Sequence, residues 1–432
     1  MRSAFIVLGL VLGLVACSAS GGSSNNGSGA GGGGGSGAAG SGGAPGSGGG
    51  ISLDAGDDAR PTVARLKGKV YSPQGVMPIS GALVFLSGGT PGPIPDHAYC
   101  DKCVALPHGT PYTFSNPDGS FELDAYATGP QTLVVEKGQF RRYRTFDVVA
   151  GDQDVPAALT TMPRKTDPAA GDNIPKMAVI QGQWDQIEVS LAKFGLGEII
   201  PGPFNLGVQV KPGTASFDII TNKLGFLKDM NRLSQYHIVF LPCSGSDGTT
   251  CNDFVPGDAT VKKNLQDYVA MGGKIYVTDY SYEFVRQPFP GYVDWVGQGA
   301  ALGSACQGGS YDAPATVKDQ GMKDWLAAMG VTTFDVKASW TMIDKVNPVD
   351  TIDDEGKPVT VTPKVWVEGD IGSSGPKPTT VSFEYQCGRV LFSTYHTEAG
   401  NAKPTSPYLP QEAALMYVLL EVGVCIEPTN PK

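Results

Sequence analysis

From Lys176 onward, short apolar strands alternate with segments whose apolar residues recur at helical spacing. KMAVIQG predicts a strand, and the apolar residues of QWDQIEVSLAKFGLG follow at helical spacing. YHIVFLPCSG predicts a second buried strand, which precedes a helix over DATVKKNLQDYVAMGG and a third strand in KIYVTDYS. Because strands that alternate with helices form a parallel sheet covered on both faces, we expect a flavodoxin-like α/β domain over residues 174–427.

The far end of this domain breaks the alternation. RVLFSTYH predicts a late strand, and PQEAALMYVLLEVGV predicts a closing helix. Residues 288–387 instead hold turns, a helix around MKDWLAAMG and the strands PKVWVEG and TVSFEYQCG. We therefore expect an insertion at about 288–387 that carries an antiparallel patch.

Residues 61–165 show short strands separated by turn sequences. LKGKVYSP and ISGALVFLSG predict two strands, and the turn NPDG leads into SFELDAY, where apolar and polar residues alternate. GPQTLVVEKGQFRRYRTFDVVAGD adds two strands around a Lys-Gly turn. Strands at short, regular spacing predict an all-β sandwich ahead of the α/β domain.

The first sixty residues predict export and a tether. MRSAFIVLGLVLGLVACSAS has one arginine and then an apolar run that is too short and wrongly flanked to span a membrane. Residues 18–60 are rich in Gly, Ser, Ala and Asn and cannot bury apolar surface, so they predict a flexible tether. About 30 such residues reach on the order of 30 Å.

The apolar run ends in Leu14-Val15-Ala16-Cys17, which resembles the bacterial lipobox. The resemblance implies cleavage before Cys17 and acylation of its thiol and its new amino group. The alternative is an ordinary secretory signal that contains a cysteine. Ser18, in place of an aspartate, favours the outer membrane, and several acyl chains anchor far more firmly than one. We expect an exported protein anchored to the outer membrane through Cys17, on its periplasmic face or at the cell surface.

Composition narrows the set of partners. The net charge of −10 gives no basic surface for nucleic acid. The hydrophobic fraction of 41% and the five tryptophans allow substantial cores. The sequence indicates no cofactor. The expected partners are the membrane, through the lipid anchor, and a carbohydrate or another envelope protein.

Seven cysteines follow Cys17, and an exported protein retains disulfides. We expect two short-range pairs, Cys100–Cys103 and Cys243–Cys251, with at least one thiol left over because the number is odd. The alternative for the first pair is a Zn²⁺ site, since His97 and His108 flank it and supply two further ligands. The disulfide is preferred because the compartment is oxidising and the spacing fits no familiar zinc motif.

Three resemblances follow from these motifs. The order G-x-V, P-x-x-G-A-x-V, D-G-S-F and G-x-x-x-L-x-V resembles the carboxypeptidase regulatory-like domain, a transthyretin-like sandwich. That resemblance implies a non-catalytic accessory or adhesive module. YHIVFLPCSG, GGKIYVTDYS and GRVLFSTYHTE resemble the class I glutamine amidotransferase-like fold and the related trehalose-utilisation-type domains. The whole arrangement resembles surface lipoproteins of myxobacteria, which implies architecture and location.

The amidotransferase resemblance implies a catalytic site that the sequence only half reproduces. That family places a cysteine in a tight G-x-C-x-G turn after a strand and ends a late strand in H-x-E. His396 and Glu398 match the second motif, whereas Thr278-Asp279-Tyr280-Ser281-Tyr282 stands at the turn without cysteine or glycine. A Ser281–His396–Glu398 triad is therefore the hydrolase hypothesis.

The preferred interpretation is a binding or structural domain that has lost the chemistry. We expect a cleft at the strand ends lined by Tyr280, Tyr282, Tyr395 and His396, which suits a sugar or peptide ligand. Cys243 also follows a strand, but a disulfide would remove the thiolate that a nucleophile requires. A structural role in an envelope assembly is the third possibility.

Overall fold

The computed structural model describes residues 60–101, 104–182, 184–205, 207–244, 253–306, 309–397 and 408–420. The predicted lipobox at Cys17 and the tether up to residue 59 lie outside the described residues. Cys103, Cys251 and Glu398 lie outside them as well.

The N-terminal part of the described chain is built from two sheets. Its elements are β1 (Ala64–Lys69), β2 (Leu83–Ser87), β3 (Tyr112–Phe114), β4 (Ser120–Ala125), β5 (Gly129–Lys137), β6 (Phe140–Val148), β7 (Gly151–Asp154), the short helix α1 (Ala157–Thr160) and β8 (Asp172–Asn173). One sheet has the order β4-β1-β7 and the other the order β3-β2-β5-β6-β8. Gly138 has a φ of 57° in the two-residue turn between β5 and β6, a conformation that favours glycine.

The following segment carries the longer sheet and its helices. The strands are β9 (Met177–Ile180), β10 (Ile199–Pro201), β11 (Val208–Val210), β12 (Asp218–Ile220), β13 (Ile238–Leu241), β14 (Lys274–Thr278), β15 (Val293–Trp295), β16 (Tyr311–Val317), β17 (Asp335–Ser339), β18 (Ile343–Val346), β19 (Val349–Ile352), β20 (Pro358–Val361), β21 (Lys364–Asp370), β22 (Pro376–Tyr385) and β23 (Gly388–Ser393). The helices are α2 (Ile187–Leu191), which continues as a π-helix over Ala192–Leu196, α3 (Lys223–Lys228), α4 (Met230–Leu233), α5 (Ala259–Ala270), α6 (Glu283–Arg286), α7 (Gln320–Ala328) and α8 (Pro410–Leu420). Short 3-10 turns fill Pro168–Ala170, Pro203–Asn205, Val255–Gly257, Asp279–Tyr282 and Gly372–Ser374.

The described chain is thus a mixed α/β protein with several sheets. Its longest sheet has nine strands in the order β12-β9-β13-β14-β23-β22-β21-β16-β17. The first five run parallel, and the last four continue the same sheet with antiparallel pairing. All residues of β13 and β14 are buried, as expected for central strands covered on both faces. All four strands of the antiparallel half come from residues 288–387 and extend the parallel half.

Helix α5 illustrates how local sequence fixes an element. The Asp258 side chain accepts hydrogen bonds from the backbone N–H groups of Thr260 and Val261, which caps the start of the helix. Its apolar face is buried, as the helical spacing predicts. The helix ends before Gly272, whose φ is 114° and where a Cβ atom would lie 1.9 Å from the carbonyl oxygen of Tyr99. None of the described helices is long and apolar enough to cross a membrane.

The cysteines correct two predicted pairings. Cys100 is bonded to Cys387, with Cα atoms 5.0 Å apart, so the predicted Cys100–Cys103 pair is wrong. The physical reason is tertiary, because the chain around Cys100 packs at the amino edge of the sheet, where Cys387 lies in the β22–β23 turn. Cys243 is buried as a thiol, so the predicted Cys243–Cys251 pair is wrong as well. Cys306 is also disulfide-bonded.

Candidate functional site

Three side chains with reactive or metal-binding groups meet at the carboxyl ends of adjacent parallel strands. Cys243 follows β13, Asp279 follows β14 and His396 follows β23. His396 Nε2 is 3.1 Å from Asp279 Oδ2, and Cys243 Sγ is 3.9 Å from the same oxygen. We call these three residues the buried triad. Ligands of open α/β sheets bind at this edge, so the buried triad is a candidate functional site.

Asp279 occupies the turn between β14 and the following helical turn. Its φ is 44°, a left-handed conformation that aspartate tolerates better than most residues. Its Oδ1 accepts hydrogen bonds from the Trp340 backbone N–H and the Thr341 hydroxyl, each at 3.0 Å. Complete burial raises the pKa of the Asp279 carboxyl, although His396 and the two donors act in the opposite direction. The sharp turn therefore forms without flanking glycines, and it directs the Asp279 carboxylate at His396.

His396 is 3% exposed and faces this carboxylate. The separation of 3.1 Å is short enough for an ion pair, but neither ring nitrogen makes a well-aligned hydrogen bond. Burial lowers the pKa of His396, whereas Asp279 and, at longer range, Asp185 outweigh burial, so the pKa is raised. The backbone carbonyl of His396 accepts a hydrogen bond from Gln411 Nε2, which fixes the chain after β23.

A second polar network lies behind the buried triad. The backbone N–H of Cys243 donates to the Thr278 hydroxyl oxygen at 2.8 Å, and that hydroxyl donates to Asp185 Oδ2 at 2.6 Å. Asp185 Oδ1 accepts from both the backbone N–H and the hydroxyl of Thr397. The network ties together the loops that follow four neighbouring strands and so fixes the relative positions of the triad residues.

Ser281 does not join the triad. Its hydroxyl donates to the carbonyl oxygen of Pro242 at 2.7 Å, and the residue is 2% exposed. His396 pairs with Asp279 instead, so the predicted Ser281–His396 pair is not formed. Glu398, its predicted third member, lies outside the described residues.

The predicted tyrosine-lined cleft is also wrong. Tyr282 and Tyr395 are fully buried, where the Tyr282 hydroxyl accepts from the Ala305 backbone N–H at 3.0 Å and the Tyr395 hydroxyl bonds to Thr380. Both rings belong to the hydrophobic core and therefore cannot line an open cleft.

Other aromatic side chains are accessible at the carboxyl edge of the sheet. Trp184 is 43% exposed, and its backbone N–H donates to the carbonyl oxygen of Cys243 at 3.2 Å. Phe254 is 67% exposed just ahead of α5, at the same edge of the sheet. The partly buried Tyr280 ring packs on Trp340, with centroids 5.8 Å apart. We call these four residues the aromatic rim.

The alternative zinc site near the N-terminal sheets is not formed with Cys100 as a ligand. The sulfur of Cys100 is oxidised in the bond to Cys387, and a disulfide sulfur is not a thiolate ligand. His97 is exposed and lies beside Asp96, with 3.4 Å between the ring Nδ1 and the carboxylate. His108 is exposed too.

The sequence suggests Asp279, together with Glu283, as a possible cation ligand, but it does not indicate the pairing of Asp279 with His396 or the role of Asp185. Asp279 and Asp185 both lie just beyond the end of a parallel strand, which is the available signal, but many polar residues share that position. The sequence places Cys243 at a strand end, but its short spacing to Cys251 predicts a disulfide. Only the tertiary structure shows that its thiol faces Asp279.

Comparisons with known proteins give distant likenesses. No protein-family model matches the sequence, and no curated protein matches it. Among solved structures, a ThuA-like protein from Bacteroides uniformis is 11% identical with a TM-score of 0.32, over 56% of this chain and 89% of that one. A cytoplasmic protein from Salmonella typhimurium is 9% identical with a TM-score of 0.33, over 57% and 98%. A β-galactosidase from Bacillus circulans sp. alkalophilus is 12% identical with a TM-score of 0.26, over 57% and 30%.

Proposed function

We propose that this chain is a non-catalytic, lipid-anchored cell-envelope protein that binds a saccharide at the aromatic rim. In this proposal, residues 61–165 form a carboxypeptidase regulatory-like sandwich, and residues 174–427 form an amidotransferase-like domain whose catalytic residues have been replaced. The lipid on Cys17 holds the protein at the outer membrane, and the tether of residues 18–60 lets it reach its ligand.

The proposal that the chain is not an enzyme rests on the burial of the side chains that could act as nucleophile or base. Cys243 and Asp279 are 0% exposed, Ser281 is 2% exposed and His396 is 3% exposed. A nucleophile must meet its substrate, and a base must lie within hydrogen-bond reach of the proton that it removes. The Ser281 hydroxyl is already committed to Pro242, and the Asp279 carboxylate is held by the segment at Trp340.

The exposed aromatic rings support the binding part. Trp184 and Phe254 present large apolar faces to solvent beside the strand ends, where open α/β sheets bind ligands. Tryptophan combines an apolar face with an indole N–H, which suits stacking on a sugar ring together with hydrogen bonding. The net charge of −10 favours a neutral ligand over an anionic one.

The test is calorimetric titration of the full-length chain in detergent. Two neutral probes are used, an N-acetylglucosamine hexasaccharide and a glucose hexasaccharide. Binding of at least one is expected, and Trp184→Ala is expected to weaken it by about 2–10-fold, the effect of losing one stacked ring. Val149→Ala removes a side chain that is 52% exposed beyond β6 and serves as the matched control with unchanged affinity.

Two outcomes would contradict this proposal. If neither saccharide gives heat on titration, the proposed saccharide binding is wrong. If the chain hydrolyses an ester or amide and Cys243→Ala does not, the protein is an enzyme and the non-catalytic proposal is wrong. The anchor is tested separately by labelling cells with an alkyne analogue of palmitate. Incorporation is expected in the natural chain and absent in Cys17→Ser, and equal incorporation in both would remove the anchor.

A further inference from the structure

The buried triad has the composition of a metal site. Its three ligand atoms, a cysteine Sγ, a carboxylate oxygen and an imidazole nitrogen, lie within 4.8 Å of one another, and all three residues are buried. The separations of 3.9 Å from Cys243 Sγ to Asp279 Oδ2 and 3.1 Å from that oxygen to His396 Nε2 leave room for one small cation. Ligands bound at about 2.0–2.3 Å around one tetrahedral ion lie at comparable distances from each other.

The histidine supplies an independent indication. His396 is 3% exposed, yet neither ring nitrogen makes a well-aligned hydrogen bond. A buried polar group without such a bond costs about 1–3 kcal/mol, so native proteins seldom retain one without a reason. His237, directly ahead of β13, is equally buried, but its Nδ1 accepts from the Lys176 backbone N–H and its Nε2 lies 2.8 Å from the Pro95 carbonyl oxygen.

We propose that Cys243, Asp279 and His396 bind one Zn²⁺ ion through Sγ, Oδ2 and Nε2. A thiolate, a carboxylate and a neutral imidazole carry two negative charges, which one Zn²⁺ neutralises in a site closed to solvent. The mixed set of sulfur, nitrogen and oxygen favours Zn²⁺ over Mg²⁺ and Ca²⁺, which prefer oxygen ligands alone. The inference goes beyond the proposed saccharide binding, because the ion joins the loops after β13, β14 and β23 and has a structural role.

The surroundings orient the carboxylate as a metal ligand requires. Trp340 and Thr341 both donate to Oδ1 and leave Oδ2 directed toward the cysteine and the histidine. Partners of this kind fix metal ligands in place, and their loss weakens metal binding about 10–100-fold. Three protein ligands leave the fourth tetrahedral position to one enclosed water molecule, and the burial of all three residues keeps a substrate away from it.

The experiment measures zinc in the full-length chain, purified in detergent without chelator or reductant. Elemental analysis is expected to give one zinc per chain, and Cys243→Ser and His396→Gln are expected to give none. His237→Gln is the matched control, because it replaces an equally buried histidine directly ahead of β13 and should keep the zinc. Circular dichroism verifies that each variant is folded.

A second measurement on the natural chain keeps the inference testable if the variants fail to fold. X-ray absorption at the zinc edge is expected to show one sulfur at about 2.3 Å and nitrogen or oxygen neighbours at about 2.0–2.1 Å. A chain that stays without zinc after incubation with ZnCl₂, or a zinc shell without sulfur, would overturn the site. Equal zinc in the natural chain and a folded Cys243→Ser variant would overturn it too, and none of these results affects the saccharide titration.

Discussion

Polar side chains at the carboxyl edge of the nine-stranded sheet differ in how well the fold satisfies them. Asp185 accepts hydrogen bonds on both oxygens, and Oδ1 of Asp279 accepts two. Glu188, in α2, has no partner on its buried Oε2 atom. Burial of this carboxyl, together with the nearby Asp185 charge, raises its pKa to about 7. At the residue scale, Glu188 is therefore a site where the fold opposes ionisation.

Replacement of Glu188 by glutamine should flatten the pH dependence of stability. Because the folded-state pKa lies above the ordinary value of 4.5, the folded chain holds this proton more tightly than the unfolded chain. The contribution of Glu188 to stability is complete below about pH 4.5 and is lost as the pH rises through about 7. Urea unfolding should show that the free energy of unfolding falls between pH 5 and pH 8. This fall should be up to about 3 kcal/mol larger in the natural chain than in Glu188→Gln.

The matched control is Glu198→Gln. Glu198 is exposed and its carboxylate lies 2.7 Å from Lys211 Nζ, so its removal should leave the decline unchanged. Parallel pH profiles for the natural chain and Glu188→Gln would show that Glu188 ionises freely in the folded protein.

At the scale of elements, a buried ion pair joins the closing helix α8 to the helical segment after β9. Lys193 Nζ lies 2.6 and 2.8 Å from the two oxygens of Glu412, and the side chains are 2% and 0% exposed. Ser190 and the Leu409 backbone N–H also donate to this carboxylate. The pair is well satisfied, but removal of either partner leaves a buried charge without compensation.

Lys193→Met should therefore lower the free energy of unfolding by about 3–5 kcal/mol. The double variant Lys193→Met with Glu412→Leu should recover much of this loss, because it removes the second charge as well. Lys211→Met, which breaks the exposed pair with Glu198, should cost less than about 1 kcal/mol. Equal losses in the two single variants, measured by urea unfolding, would mean that burial does not strengthen the Lys193–Glu412 pair.

The Cys100–Cys387 disulfide joins two further elements, the segment after β2 and the turn between β22 and β23. It closes a chain separation of 287 residues. Cross-links over long separations restrict the unfolded chain most, although measured gains vary. Cys387→Ser should therefore lower stability by about 2–5 kcal/mol. Thermal melting with and without reductant checks this prediction. Reductant should lower the melting temperature of the natural chain more than that of Cys387→Ser. An equal effect on both chains would mean that another disulfide provides the stabilisation.

At the scale of the whole molecule, the N-terminal sheets and the nine-stranded sheet share one hydrophobic cluster. Leu66 and Val135 from the N-terminal sheets belong to the same cluster as Val179 and Phe240 from the parallel strands. The indole N–H of Trp325, in α7, donates to the Pro78 carbonyl oxygen at 2.8 Å. The described part of the chain is accordingly held together by continuous packing in addition to the covalent link at Cys387.

The elements were predictable from sequence where a local period determines them. Buried runs such as IVFL of β13 and the helical spacing of α5 depend only on neighbouring residues, and both appear in the structure. The cysteine pairing and the buried triad were not predictable, because they depend on which strand ends meet. His396 was selected as a site residue, but its partner Asp279 lies 117 positions earlier in the chain, and no local pattern links them.

The reactivity of Cys243 in the folded chain tests the central claim, which is that the groups capable of chemistry at the sheet edge are closed to substrates. The full-length chain is treated with iodoacetamide at pH 7.5, and alkylation of the Cys243 peptide is followed by mass spectrometry with and without denaturant. We predict no alkylation while the chain is folded and complete alkylation after unfolding, because the thiol is 0% exposed. Rapid, stoichiometric alkylation in the folded state would reveal an accessible thiolate and would contradict the non-catalytic account.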